Sequence, residues 1–405
     1  MSEPRHHEGP PSAGAAPMRP AAPPRHALGS RPRALEGVLR FVAAALAVVL
    51  VSGLAVAGAV AASLNSRLQG TVVSIGDSAQ PLPEIGKIEG GFNILIVGSD
   101  TRVDQGGLGG SAEDVEGRRN DVTILLHVAQ DQRSAVVVSF PRDLEVELPE
   151  CARDFGYWNK INTALEIEGL PCVVETVEDL TGLPIHFAGL ITFAGVVEMT
   201  NIIGGVDVCI TAPIIDERAG IALPEPGVVN LRGADALGFL RTRYGVGDGS
   251  DLGRISAQQV FLSSMVRKLQ SDGTLGDLRT VFSLADAALR NMTLSEGLAD
   301  PYTLVSIALA LKDIPPERIT FVRWPTFDLG NGNLGTIGPL ADELLGYIAA
   351  DEPFRLADIG DDLASTPDPN APPEPTPTAS PEGGTPVIEG VPGQTAAQHS
   401  CAVGN

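Results

Sequence analysis

Gly91-Phe92-Asn93-Ile94-Leu95-Ile96-Val97-Gly98-Ser99-Asp100-Thr101-Arg102 decides how the rest of this chain is read. Phe92 to Val97 is a short apolar run that stops at Gly98, the pattern of a strand buried on both faces. Asp100 and Arg102 follow at its carboxyl end. A glycine-rich loop runs from Gln105 to Gly117, and Arg119-Asn120-Asp121 leads into a second apolar run, Val122 to Val128. Asp100 and Asp121 thus stand at the ends of two neighbouring strands, each two residues from an arginine. Two carboxylates beside guanidinium groups suit a divalent cation clamped next to a phosphate-like anion. An acidic turn solvated at a strand end is the plain alternative.

Working outward, Ala135–Ser139, Phe187–Ile191, Val206–Ile210 and Ile319–Arg323 read as further strands. Lys160–Gly169, Val173–Thr181, Phe193–Ile203, Arg232–Leu240, Asp251–Gln270, Leu275–Leu311 and Leu340–Ala349 read as helices. Helices alternating with strands predict an α/β domain, a mixed central sheet flanked by helices, over residues 91–360. From residue 361 to 405 the chain turns rich in Pro, Thr, Ser and Glu, which predicts a disordered tail ending near Cys401.

The 405 residues carry a net charge of −22, which argues against a nucleic-acid footprint. Residues 1–34 have no apolar period and read as a disordered cytoplasmic tail. Phe41 to Ser63 contains no charged residue and is long enough to span a bilayer. Arginines precede it and an acidic chain follows. That orients a single transmembrane helix within 35–63, amino terminus cytoplasmic, domain extracytoplasmic, at the cell membrane. A cleaved signal peptide is the alternative. Residues 64–90, broken by Pro81 and Pro83, form a stalk. Outside the cytoplasm, Cys151, Cys172, Cys209 and Cys401 suggest two disulfides. Three pairings are open. Cys151–Cys172 would close a short loop, and Cys209–Cys401 would tie the carboxyl terminus to the fold.

Phe140-Pro141-Arg142-Asp143 follows a buried strand directly, so Arg142 emerges at a strand end as Asp100 does. Arg241 and Arg243 emerge at a helix end. Arg254 opens a helix, with Gln258 one turn on along the same face. A strongly acidic chain that keeps arginines at element ends can use them on phosphate, through paired donors of permanent charge. Pairing of each arginine with a local acid is the plain alternative. No GxSxG or nucleotide-binding fingerprint occurs. A cation with arginines and no protein nucleophile fits phosphoryl transfer, where the protein positions reactants and offsets charge.

At this point the chain resembles the LytR-CpsA-Psr (LCP) family. The resemblance rests on Asn93–Arg102, Arg119-Asn120-Asp121, Ser139–Asp143, Asn159–Asn162, Leu180–Gly182, Gly204–Val206, Leu231–Leu237, Arg241–Arg243 and Asp251–Arg254 with Gln258. It implies an LCP-like three-layer domain and an extracytoplasmic, Mg2+-dependent phosphotransferase. Such enzymes move a glycopolymer from a polyprenyl-pyrophosphate carrier to peptidoglycan, in an apolar tunnel that takes the lipid. By the same resemblance Asp100 and Asp121 hold the metal. Arg119, Arg142, Arg241, Arg243, Arg254 and Gln258, with Arg102 and Lys160, contact the pyrophosphate. Arg142, Arg241, Arg243 and Asp121 carry the catalysis. The proline-rich tail with Cys401 resembles actinobacterial members. Two rival functions fit the same residues: a pyrophosphatase acting on the same carrier, and a non-enzymatic envelope regulator or scaffold.

Overall fold

The computed structural model describes residues 72–75, 90–99, 119–271, 273–357, 363–371 and 385–405. The chain divides into two units, Met1–Leu64 and Asn65–Asn405. The first lies wholly outside the described residues, and with it the predicted cytoplasmic tail and the 35–63 membrane helix. Among the described residues no helix is long and apolar enough to cross a membrane.

In chain order the first strands are β1 (Val72–Val73), β2 (Phe92–Ser99), β3 (Asn120–Val128), β4 (Ala135–Phe140), β5 (Glu145–Glu147), β6 (Trp158–Lys160) and β7 (Phe187–Ile191). Then come β8 (Val206–Ile210), β9 (Ile214–Asp216), β10 (Ile221–Leu223), β11 (Gly227–Leu231), β12 (Met292–Ser295) and β13 (Ile319–Arg323). The last are β14 (Thr326–Asp328), β15 (Leu334–Thr336), β16 (Arg355–Leu356), β17 (Ser365–Pro367), β18 (Val387–Ile388), β19 (Gly393–Thr395) and β20 (Ser400–Ala402). The helices are α1 (Leu170–Thr181), α2 (Phe193–Ile202), α3 (Ala234–Arg241), α4 (Asp251–Ser271), α5 (Leu278–Asn291), α6 (Pro301–Lys312) and α7 (Gly338–Ala349).

The main sheet has eight strands in the order β1-β12-β7-β2-β3-β4-β13-β19. It is mixed: β2 runs parallel to β7 and β4 to β13, whereas β2–β3 and β3–β4 are antiparallel. Alternate residues of a strand point to opposite faces. Leu95 and Val97 of β2 and Leu125 of β3 therefore share one face, where they pack with Val173, Val174 and Val177 of α1 and Leu344 and Ile348 of α7. A second core joins β8, α3 and α4 through Val208, Phe239, Val260 and Phe261. It lies on a four-stranded sheet ordered β11-β8-β20-β17.

Four sequence expectations need correction. Lys160–Gly169 is not a helix: Lys160 ends β6, and only a single 3-10 turn, Ile161–Thr163, follows. The span 275–311 is two helices split by β12, which pairs with β7. The region 361–405 is not wholly a tail, because 363–371 and 385–405 carry β17 to β20. Residues 64–90 likewise include β1, an edge strand of the main sheet. Two disulfides are present, Cys151–Cys172 and Cys209–Cys401, the second between strands in direct register.

At the end of the sheet away from Asp121, His186 accepts a hydrogen bond at Nδ1 from the Asn93 amide (3.0 Å). That bond requires a neutral ring. Burial, then the neighbouring His127, pushes the His186 imidazole below its ordinary value. A folded state that refuses a proton loses stability as pH falls below the unfolded value, about 6.5. The melting temperature is therefore expected to drop as pH falls through the region below that value. His186→Asn, which keeps an acceptor but does not titrate, should flatten the slope in differential scanning fluorimetry.

Candidate active site

Antiparallel pairing builds the centre of the site. Thr123 of β3 lies opposite Phe140 of β4. The start of β3 therefore adjoins the residues just past the end of β4, and Arg142 Nη1 donates to Asp121 Oδ1 at 2.9 Å. Ser99, the last residue of β2, pairs with Asn120. Asp100 and Arg102 lie outside the described residues.

Helix α4 supplies the next layer. Asp251 and Arg254 are one turn apart and 6% and 5% exposed. Arg254 Nη2 reaches Asp251 Oδ1 at 2.7 Å and donates to the Asp121 carbonyl at 2.8 Å. Arg142 Nε stands 3.4 Å from Asp251 Oδ1 and 3.5 Å from Asp143 Oδ2. Burial alone would lower the Arg142 guanidinium pKa. Asp121, Asp251 and Asp143 outweigh it and raise the pKa instead. The guanidinium is thus permanently charged, hydrogen-bonded to Asp121 and ion-paired with Asp251 and Asp143. Lys160 Nζ closes the ring on Asp143 at 2.6 Å.

Arg241 and Arg243 sit at the carboxyl end of α3. Arg241 Cζ lies 4.4 Å from the centre of the Phe193 ring, at the start of α2. Arg243 Cζ lies 5.9 Å from that of Tyr244. Gln258 donates its amide to the Leu240 carbonyl (2.8 Å), so it ties α4 to the end of α3 rather than pointing an amide at an anion. Arg119 is exposed, one residue before β3. The structure brings Asp121, Arg142, Lys160 and Arg254 into one network. Arg241, Arg243 and Gln258 are placed at the α3–α4 junction.

Three acids outside the predicted set prove central. Asp143 and Asp251 are the counter-charges of Arg142, and Asp216 holds the arginine turn. Asp216 Oδ2 accepts from Thr242 Oγ1 (2.8 Å) and from the Arg243 and Tyr244 amides (both 3.3 Å). Burial would raise its pKa, but these bonds hold the carboxyl below its ordinary range. Asp216→Ala strands those donors and should cost about 1–3 kcal/mol, read in urea unfolding. In the native protein this contribution is present at neutral pH. It is lost only as pH falls below the ordinary carboxylate value, because the unfolded chain then takes the proton first.

The donor type, though not the arrangement of the described carboxylates, suits a hard cation. Carboxylate oxygens are its preferred ligands, and Asp251 Oδ2 is buried with no hydrogen-bond partner. Asp121, Asp143 and Asp251 are spread around Arg142. Among the described residues, the one group of candidate ligand atoms within 4.8 Å of one another is Cys209, Asp368 and Cys401. Its cysteines are spent in the disulfide.

Guanidinium and carboxylate groups are thus paired at the strand and helix ends of an α/β protein with a mixed sheet. The chain belongs to the LytR_cpsA_psr family, whose sequence profile matches residues 59–338. Cell wall biosynthesis protein LcpA of Corynebacterium glutamicum is 29% identical over 359 residues, covering 79% of this chain and 66% of LcpA. The same organism's probable cell wall biosynthesis protein LcpB is 31% identical over 249 residues, covering 60% of this chain and 57% of LcpB. The chain thus spans less than two thirds of either relative's length. TagT of Bacillus subtilis, named a polyisoprenyl-teichoic acid–peptidoglycan teichoic acid transferase, is 25% identical over 296 residues, 71% of this chain and 87% of TagT. Among solved structures, protein gbs0355 from Streptococcus agalactiae superposes with a TM-score of 0.53 at 21% identity. That match covers 65% of this chain and 88% of gbs0355, and it establishes the shared fold.

Proposed function

We propose that this protein is a membrane-anchored, extracytoplasmic phosphotransferase. It moves a glycopolymer from a polyprenyl-diphosphate carrier to a hydroxyl of peptidoglycan. The observation that carries this reading is Arg142, fixed by Asp121, Asp143 and Asp251 and flanked by Arg254 and Lys160. A diphosphate needs several fixed positive groups, and a guanidinium presents paired donors to its oxygens.

The acceptor oxygen attacks the phosphorus next to the glycan. An O–P bond forms and the phosphoanhydride bond to the prenyl phosphate breaks. The acceptor's proton passes to Asp121, whose side chain is 17% accessible where that of Asp251 is 6%. Arg142 and Arg254, with Arg241 and Arg243 from the end of α3, neutralise the charge gathering on the departing phosphate. Asp100 and Asp121 would hold a Mg2+ ion, whose charge would offset further negative charge on the diphosphate. The TagT name supports the reading, because it specifies a polyisoprenyl-linked donor and a peptidoglycan acceptor for that relative.

The purified chain, given prenyl-diphosphate-linked glycan and wall fragments, should form a covalent glycan–peptidoglycan adduct. Release of free glycan phosphate with no adduct would instead mark a pyrophosphatase. Binding without turnover would mark a scaffold.

A further inference from the structure

The chain has only two tryptophans and four tyrosines. Trp324 is buried at 1% exposure, but Trp158 is 58% exposed and its neighbour Tyr157 is 50% exposed. Adjacent exposed aromatic rings form a contiguous apolar patch of the kind that marks interaction sites. The two rings lie 6.3 Å apart at the start of β6. Tyr157 is held in place. The Arg153 guanidinium stacks 4.4 Å from the Tyr157 ring centre, and the Tyr157 hydroxyl bonds to Glu147. The Leu148 amide donates to the Tyr157 carbonyl at 2.9 Å, and the Cys151–Cys172 disulfide staples the segment to α1. Gly156, at φ +101°, turns the chain into β6 where a side chain would be strained.

Trp158 and Lys160 are two apart on one strand, so they share a face, about 7 Å apart along it. Lys160 is bonded to Asp143 in the Arg142 network. The aromatic pair therefore borders the reaction site. Exposed Glu147, Glu150 and Asp154 outnumber the half-buried Arg153 around it, so the rim is net acidic. An acidic rim disfavours the anionic surface of a bilayer and an anionic donor polymer. It suits a neutral ligand that offers apolar C–H faces and hydroxyl or amide donors.

We infer that Trp158 and Tyr157 form the acceptor subsite, a platform on which a pyranose ring of a neutral, β-linked N-acetylhexosamine strand stacks. The strand's next hydroxyl is thereby presented to the Arg142 network. An aromatic ring, with two rotatable bonds, loses little conformational freedom on binding, which favours affinity. This inference rests on the transfer reading above and names the binding side of its acceptor.

The probe is a chitin tetrasaccharide, titrated into the purified full chain while tryptophan emission is followed. Because Trp324 is buried, the change reports on Trp158. The expected result is a saturable blue shift. In ligand-detected NMR, Trp158→Phe should keep binding, and Trp158→Ala should weaken it roughly tenfold. In transfer assays Trp158→Ala should raise the acceptor KM more than it lowers kcat. No response to the sugar, or equal affinity in Trp158→Ala, would overturn the subsite. So would a shift seen only with phosphatidylglycerol vesicles, which would make the patch a membrane contact. Binding is read without turnover, so sugar binding with no transfer activity would sink the enzymatic reading, and with it the acceptor role, and leave only a sugar-binding platform. Transfer without sugar binding would do the reverse.

Discussion

Replacing Arg142 with alanine is expected to lower transfer by roughly 100- to 1,000-fold, the loss seen when one fixed donor to a developing charge is removed. The side chain contacts Asp121, Asp143 and Asp251 together. Its removal therefore takes away a phosphate donor and leaves three acids crowded where a diphosphate must sit. Arg142→Lys should recover little, because a point charge cannot meet three carboxylates and a phosphate in one plane. The measurement is the rate of label transfer from prenyl-diphosphate glycan to wall fragments by the purified chain, with circular dichroism confirming the fold. An unchanged rate in Arg142→Ala would remove the reading of this network as catalytic.

The second large effect should come from Cys401→Ser. Cys209 and Cys401 are 192 residues apart in sequence. Closing so long a loop restricts the unfolded chain by about 5 kcal/mol on the chain-entropy argument. The terminal segment also clasps the turn between the arginine pair and α4. The Gly247 amide donates to the Val403 carbonyl (2.9 Å) and the Asn405 amide to that of Gly245 (3.0 Å). A Cβ added at Gly247 would meet the Leu363 carbonyl oxygen, so the contact admits no side chain. Cys401→Ser should lower the melting temperature by roughly 10 °C or more in calorimetry. It should also raise hydrogen exchange at residues 243–249 and depress transfer, since that turn joins Arg243 to Asp251, the first residue of α4. Cys151→Ser, opening a loop with a separation of 21, should cost less, about 3 kcal/mol. Equal losses in the two variants would count against the clasp.

Local signals in the sequence carried the centre of the fold. The apolar run before Gly98 is β2, and the Val173, Val174, Val177 stripe is the buried face of α1. Arg142 was legible because it follows a buried strand without a spacer. What escaped was pairing at a distance. The local pairs Arg142–Asp143 and Asp251–Arg254 were open to the sequence as arginines beside acids, but the longer links, Asp251 to Arg142, Asp143 to Lys160 and Asp216 to Thr242, arise only from sheet register and helix packing. Gln258 shared a helix face with Arg254, but its bond to Leu240 depends on how α3 meets α4. The carboxyl-terminal region misled for the same reason. Its proline content argues for an extended tail, while the stability of β20 comes from β8 and Cys209, far upstream.

The position of β19 and β20 has a consequence for how the molecule is made. One forms the rim of the large layer, and the other is inserted between β8 and β17 in the small one. A nascent polypeptide emerging amino end first will hold both layers unfinished until Gly393 to Ala402 arrive. Such distant closures are slow steps in folding. A premature stop just before Gly393 would therefore strand an aggregation-prone intermediate with two open borders, and protein quality control would meet it before any substrate could.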